Sequence, residues 1–172
     1  MKKIFLTLVA AAMTALTVSA QDIAQATENY NNGAMEHPMG NKDAALNYFQ
    51  PALTMAEALG DEGVDIVTNC KNTIPALLAS IGKDLVKAEN FDAAIEQLKK
   101  TIEVAENYGN VEVVEEAKTL IPQVLMSKAG DLLNAKNFAG AAEVYKQVVD
   151  ADPANGMAAL RLGMALGSLG KV

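Results

Sequence analysis

The residues in this sequence that could do chemistry are few. His37 is the only histidine and Cys70 the only cysteine. His37 stands beside a carboxylate, in Glu36-His37-Pro38-Met39-Gly40. That is the beginning of a metal site but no more, because structural and catalytic zinc sites take three or four ligands. The plainer reading is a polar residue in a loop between two helices. Nucleophilic catalysis needs a base beside the nucleophile, and one histidine could complete such a set only once. There is no His-Glu-x-x-His pair and no glycine-rich phosphate loop. Cys70 lies in a helical pattern, Val64-Asp65-Ile66-Val67-Thr68-Asn69-Cys70, where a small buried residue is a simpler role than a redox or covalent one. Glu115 and Glu116 pair two carboxylates, but on the solvated face of a predicted helix. These residues predict no enzyme, no metal and no cofactor.

The elements that would position any site begin after the first twenty residues, MKKIFLTLVAAAMTALTVSA. Two lysines precede an apolar run from Ile4 to Leu16 broken only by threonine. Val18-Ser19-Ala20 then places small residues ahead of a cut before Gln21. This is the layout of a cleaved secretory signal, and the run is shorter than the roughly 20 residues of a membrane span. No cysteine follows the cut to take a lipid. No later stretch is apolar for long enough to cross a bilayer, so residues 21–172 are expected to form one exported domain, periplasmic or secreted. Loss of Lys2 and Lys3 takes the formal charge from −7 to −9. An acidic chain with one arginine, Arg161, lacks the clustered cations that nucleic acid or anionic lipid would need. One cysteine leaves no disulfide framework, so packing must hold the fold.

That packing is organised by a repeat. Asn90-Phe91-Asp92-Ala93-Ala94 leads into Ile95-Glu96-Gln97-Leu98, and 47 residues later Asn137-Phe138-Ala139-Gly140-Ala141 leads into Ala142-Glu143-Val144-Tyr145. Forty-nine residues earlier, Asn41-Lys42-Asp43-Ala44-Ala45 leads into Leu46-Asn47-Tyr48-Phe49. The preceding stretches match as well, Thr73-Ile74-Pro75 with Leu120-Ile121-Pro122 and Asp84-Leu85 with Asp131-Leu132. Self-similarity of this kind signals stacked units, each burying its apolar face only against its neighbours. Each unit reads as two helices. Phe91, Ala94, Ile95, Leu98, Ile102 and Ala105 recur at steps of three and four, laying one stripe along a helix over 91–108. Tyr108-Gly109-Asn110 ends it, glycine suiting the left-handed residue after a C-terminus. A second helix is predicted from about Val111 to Lys136. Proline inside a helix removes a donor and crowds the preceding turn, so a kink or a new helix start is expected near Pro75 and near Pro122.

Ile81-Gly82, Leu85, Phe91, Ala94 and Leu98 resemble the tetratricopeptide (TPR) repeat. Leu132, Phe138, Ala141, Tyr145 and Pro153 fit the pattern again, with Ala129 where the glycine would be. Leu162-Gly163 and Leu166 look like the first helix of a further unit, and Gly33, Ala45 and Phe49 are the clearest matches in the first. The resemblance implies an all-α superhelical solenoid of antiparallel helix pairs, about three units plus a half repeat. It makes Gly82, Phe91, Ala94, Leu98, Phe138, Ala141, Tyr145, Pro153 and Gly163 packing positions of that repeat. The spacing of 47–49 exceeds the roughly 34 residues of the family. Helices longer by about two turns are therefore expected, with residues 60–72 and 109–118 helical rather than looped.

In such folds the first helices line a concave groove and carry the ligand contacts. The matched spacing places Lys83 and Val86 there in one unit, and Gln123, Met126, Leu133 and Asn134 in the next. The competing reading is that these side chains only pack against a neighbouring helix. Lys83 alone stands where a clamp for a carboxylate tail would need several cations and amides, so an apolar or extended peptide is the expected ligand. Met157, Leu160, Leu162, Met164 and Leu166 have no following helix to cover them. That predicts either a gene product continuing past Val172 or a homodimer through this helix. The resemblance thus implies a non-enzymatic protein-interaction scaffold or adaptor of the cell envelope, with a protein or peptide partner. A helical glycan- or small-nutrient-binding protein of the outer membrane or periplasm is the alternative. The absence of tryptophan weakens it, since sugar sites favour aromatic platforms.

Overall fold

A computed structural model of the chain describes residues 20–170. All of the proposed leader except Ala20 lies outside those residues. The described part of α1 covers residues 20–36. After it come α2 (Lys42–Ala58), a 3-10 turn (Gly60–Gly63), α3 (Val64–Lys87), α4 (Phe91–Tyr108), α5 (Val111–Asn134), α6 (Phe138–Ala151) and α7 (Gly156–Leu169). No strand occurs among the described residues. The fold is the expected all-α helical repeat, three helix pairs and one half. The residues beyond the usual repeat length are largely helical: α3 and α5 have 24 residues each. Among the described residues no helix is long and apolar enough to cross a membrane.

Of the two outcomes expected at the prolines, a new helix start does not occur. No helix starts at Pro75 or Pro122; each lies in the interior of one α-helix, and Pro51 does the same in α2. Proline forfeits one backbone hydrogen bond, and a helix survives that loss where packing holds both sides. Around Pro75, Ile74, Leu77 and Leu78 are buried, and Pro75 is buried with them. Ala117 and Val124 flank Pro122 in the same way.

The turns explain how such long helices reverse so tightly. At Gly40-Asn41, Glu89-Asn90, Gly109-Asn110 and Lys136-Asn137 the first residue is left-handed, with φ of 82°, 58°, 72° and 60°. The asparagine N–H then donates back to the carbonyl five residues before it: Glu36, Leu85, Ala105 and Leu132, at 2.8–3.2 Å. This closes the helix end in a Schellman turn. The same asparagine begins the next helix. Asn110 Oδ1 accepts from the Val113 N–H at 3.2 Å and Asn137 Oδ1 from Gly140 at 3.0 Å, satisfying orphan first-turn donors. Asn155 caps α7 likewise, from Ala158 at 3.0 Å. One residue thus ends one helix and starts its neighbour.

By compactness the chain forms two units, Met1–Leu77 and Leu78–Val172, with α3 running across the division. In the first, the Phe49 ring lies 2.9 Å from where a Cβ on Gly33 would be, and stacks at a tilt on Tyr30 with centroids 5.6 Å apart. Ala26, Ala45, Ala52 and Ala56 fill the space around these helices, and Lys71 pairs with Glu57 at 2.9 Å. In the second unit each helix packs chiefly on those before and after it, as a solenoid does. Leu98 Cδ2 lies 3.0 Å from where a Cβ on Gly82 would be. Tyr145 occupies the matching place over Ala129, both fully buried. Gly33 to Phe49, Gly82 to Leu98 and Ala129 to Tyr145 are the same pair in three units: a small residue on a first helix, a large one on the second. Full burial of a side chain such as Leu98 contributes about 1.5–3 kcal/mol.

Two expected packing positions depart from this. Pro153 is exposed, in the turn between α6 and α7, where it cannot continue a helix and so marks a stop. Gly163 has open space where its Cβ would go. The small residue suits a close helix crossing, and no helix among the described residues crosses there.

Candidate functional site

The first helices of successive units lie near one another within the second unit. On α3, Lys83 forms an ion pair with Glu116 of α5. Further along, Met126, Ser127, Gly130, Asp131 and Asn134 of α5 and Met157 and Arg161 of α7 line one open cleft. The α5 residues recur at steps that keep them on one helix face, and Met157 and Arg161 are one turn apart on α7. Met126 is anchored by its contact with the α5/α6 core, leaving part of its side chain in the cleft. The Asp131 carboxylate and Arg161 guanidinium belong to opposite walls, and neither side chain has an ion-pair or hydrogen-bond partner among the described residues. Beneath the α5 wall, the Tyr145 hydroxyl lies 3.9 Å from where a Cβ on Gly130 would be, buried and without a hydrogen-bond partner among the described residues.

The six residues assigned to the groove from sequence do not share one environment. Met126 and Asn134 line the cleft together. Gln123 is exposed, one turn before Met126 on α5. Lys83 is held by Glu116, with 42% of each side chain exposed, so its charge is already answered. Val86 and Leu133 are partly buried against the cores of their helix pairs. Ser127, Asp131, Met157 and Arg161 were not assigned from sequence. Carrying the spacing of the last two units on to α7 would have found Met157, which stands 34 residues after Gln123.

The lone reactive side chains stand apart from the cleft. His37 is exposed in the turn after α1, and no group of three metal-ligating side chains exists among the described residues. Cys70 is fully buried, and that burial pushes its thiol up to about 11. Its counterpart 47 residues later is Ala117, also fully buried. The position takes a small apolar group, and the sulfur fills it as one.

Residues 127–172 match the family model described as Tetratricopeptide repeat. No curated protein matches the chain. The matched segment runs from the end of α5 through α6 and α7, and so includes the α7 wall of the cleft. Helix pairs set a small residue under a large one in unit after unit, and the segment that closes the series, residues 127–172, is similar in sequence to the tetratricopeptide repeat.

Proposed function

We propose that the chain is a non-catalytic interaction scaffold of the cell envelope that holds an extended peptide in the cleft between α5 and α7. The tetratricopeptide repeat itself suggests a protein-interaction role. What supports the finer reading is the composition of the cleft. Met126 and Met157 offer flexible thioethers that adapt to an apolar side chain. Asn134 can both donate to and accept from an extended backbone. Asp131 and Arg161 have unused charge of both signs, and Arg161 could take a carboxylate side chain through two parallel bonds. The leader pattern of the first twenty residues supports export to the envelope. No aromatic residue lines the cleft to stack on a sugar ring, so the glycan reading gains no support there.

The test is a peptide-display selection on the intact chain, then affinity measurement of enriched peptides against Met157→Asp and Arg161→Glu, both on the α7 wall of the cleft. Binding should fall at least about tenfold in each variant, while the unfolding curves stay close to wild type. No enrichment, or affinities indifferent to both substitutions, would count against the cleft as the binding site.

A further inference from the structure

We propose that the floor of the cleft between α5 and α7 holds a polar subsite, at which the Tyr145 hydroxyl donates a hydrogen bond to a backbone carbonyl of the peptide where it crosses Gly130. The subsite rests on the reading of the cleft as a peptide site, and names what fixes the peptide's main chain there. Tyr145 is fully buried, in one cluster with Ala129 of α5 and Ala165 of α7. Its ring therefore lies beneath both helices that wall the cleft. Setting aside the backbone of α5 and the two adjoining residues, the Tyr145 hydroxyl is the one described atom within 4 Å of where a Cβ on Gly130 would be, at 3.9 Å. Gly130 itself lines the cleft. The hydroxyl has no hydrogen-bond partner among the described residues, and a buried polar group left in that state opposes folding.

Packing does not require that hydroxyl. Phe49 and Leu98 fill the same place in the earlier units with wholly apolar side chains, and both are buried. Nor does the helix require a glycine at 130. Ala34 and Lys83 stand at the equivalent positions, and glycine is a poor residue for a helix interior. The two departures coincide: one takes a side chain off the cleft wall, and the other sets a donor behind the gap. In the free chain the hydroxyl is closed over, so the peptide reaches it as α5 and α7 part slightly. Because the hydroxyl is already out of solvent, the new bond carries no desolvation cost on that side. A carbonyl is the acceptor that fits. Every residue of an extended peptide brings one. A carboxylate would instead be repelled by Asp131, which adjoins Gly130, and drawn to Arg161 on the α7 wall.

The probe is a peptide enriched by display on the full chain, together with versions in which single amides are replaced by esters, whose carbonyls accept more weakly. Tyr145→Phe should bind the parent peptide about fivefold more weakly, the size of one hydrogen bond. Its unfolding midpoint should match or exceed wild type, since Phe49 already fills the equivalent place and an unpaired hydroxyl is removed. Gly130→Ala brings a Cβ only into ordinary contact with the hydroxyl. It should likewise unfold no earlier than wild type and weaken binding to a similar degree. One ester replacement should weaken binding to wild type and leave binding to Tyr145→Phe unchanged. Peptides that need Met157 and Arg161 but ignore Tyr145→Phe and Gly130→Ala overturn the subsite and leave the cleft reading standing. A lower midpoint in Tyr145→Phe with unchanged affinity also overturns it, giving the hydroxyl a role within the fold. Failure to enrich any peptide removes the cleft reading and the subsite together.

Discussion

α5 and α7 hold the same place in successive units, yet their outer faces meet opposite surroundings. Ala129 on α5 is sealed beneath Tyr145, whereas Gly163 on α7 faces open space. Met126 and Leu132 are partly buried where Leu160 and Leu166 are more than half exposed. The difference lies less in either helix than in whether a neighbour covers it. A repeat position specifies what a residue would pack against, and the neighbouring helix decides whether it does. The same sequence pattern can therefore be core in one unit and exposed in the next.

The largest test of this contrast removes a covering residue and its uncovered counterpart. Leu98→Ala should lose about 3 kcal/mol in urea unfolding, within the usual range for a buried leucine. Leu166→Ala should change stability by less than about 0.5 kcal/mol, as exposed positions do. Equal losses would mean that the outer face of α7 is covered in the free chain.

A glycine pair sharpens the comparison by sign. In a helix, glycine to alanine gains about 1 kcal/mol from propensity alone. At Gly82 the new Cβ would stand 3.0 Å from Leu98 Cδ2, and overpacking of this kind costs about 1–3 kcal/mol. Gly82→Ala should therefore lower the melting temperature and Gly163→Ala raise it. Shifts of the same sign in both would break the argument.

The smallest expected difference lies in the caps. Asn137 and Asn155 make equivalent bonds to the first turns of α6 and α7. Asn137→Ala should cost about 1 kcal/mol of global stability. Asn155→Ala should cost about half that, because α7 is packed on one side and can fray without opening α6. Hydrogen exchange would separate the two, with faster amides confined to α7 in the second variant.

Much of this was legible in the sequence, and the exceptions share a cause. α4 could be read to its ends, because a three-and-four stripe and Gly109 are local signals. The fate of Pro75 and Pro122 was not local. It depends on burial of Ile74, Leu77 and Val124 by residues elsewhere in the chain, which outweighs one missing backbone bond. Lys83 reads as a free cation until the fold brings Glu116, 33 residues away, within reach. Met126 and Asn134 came from the family spacing and do line the cleft. Met157 and Arg161 escaped because α7 is conspicuous in sequence for its uncovered stripe rather than for the face it turns to α5.

The doubled role of asparagine at Asn41, Asn90, Asn110 and Asn137 bears on how such a chain can change length. At those junctions each backbone group is committed either to closing one helix or to opening the next. An inserted residue would displace the left-handed position or the cap, so these turns should tolerate no insertion. Growth has to happen inside the helices, as the 24-residue α3 and α5 show. Among the connections of the second unit, only Asp152–Asn155 is built differently, and it is the natural place to splice in a tag or graft a loop.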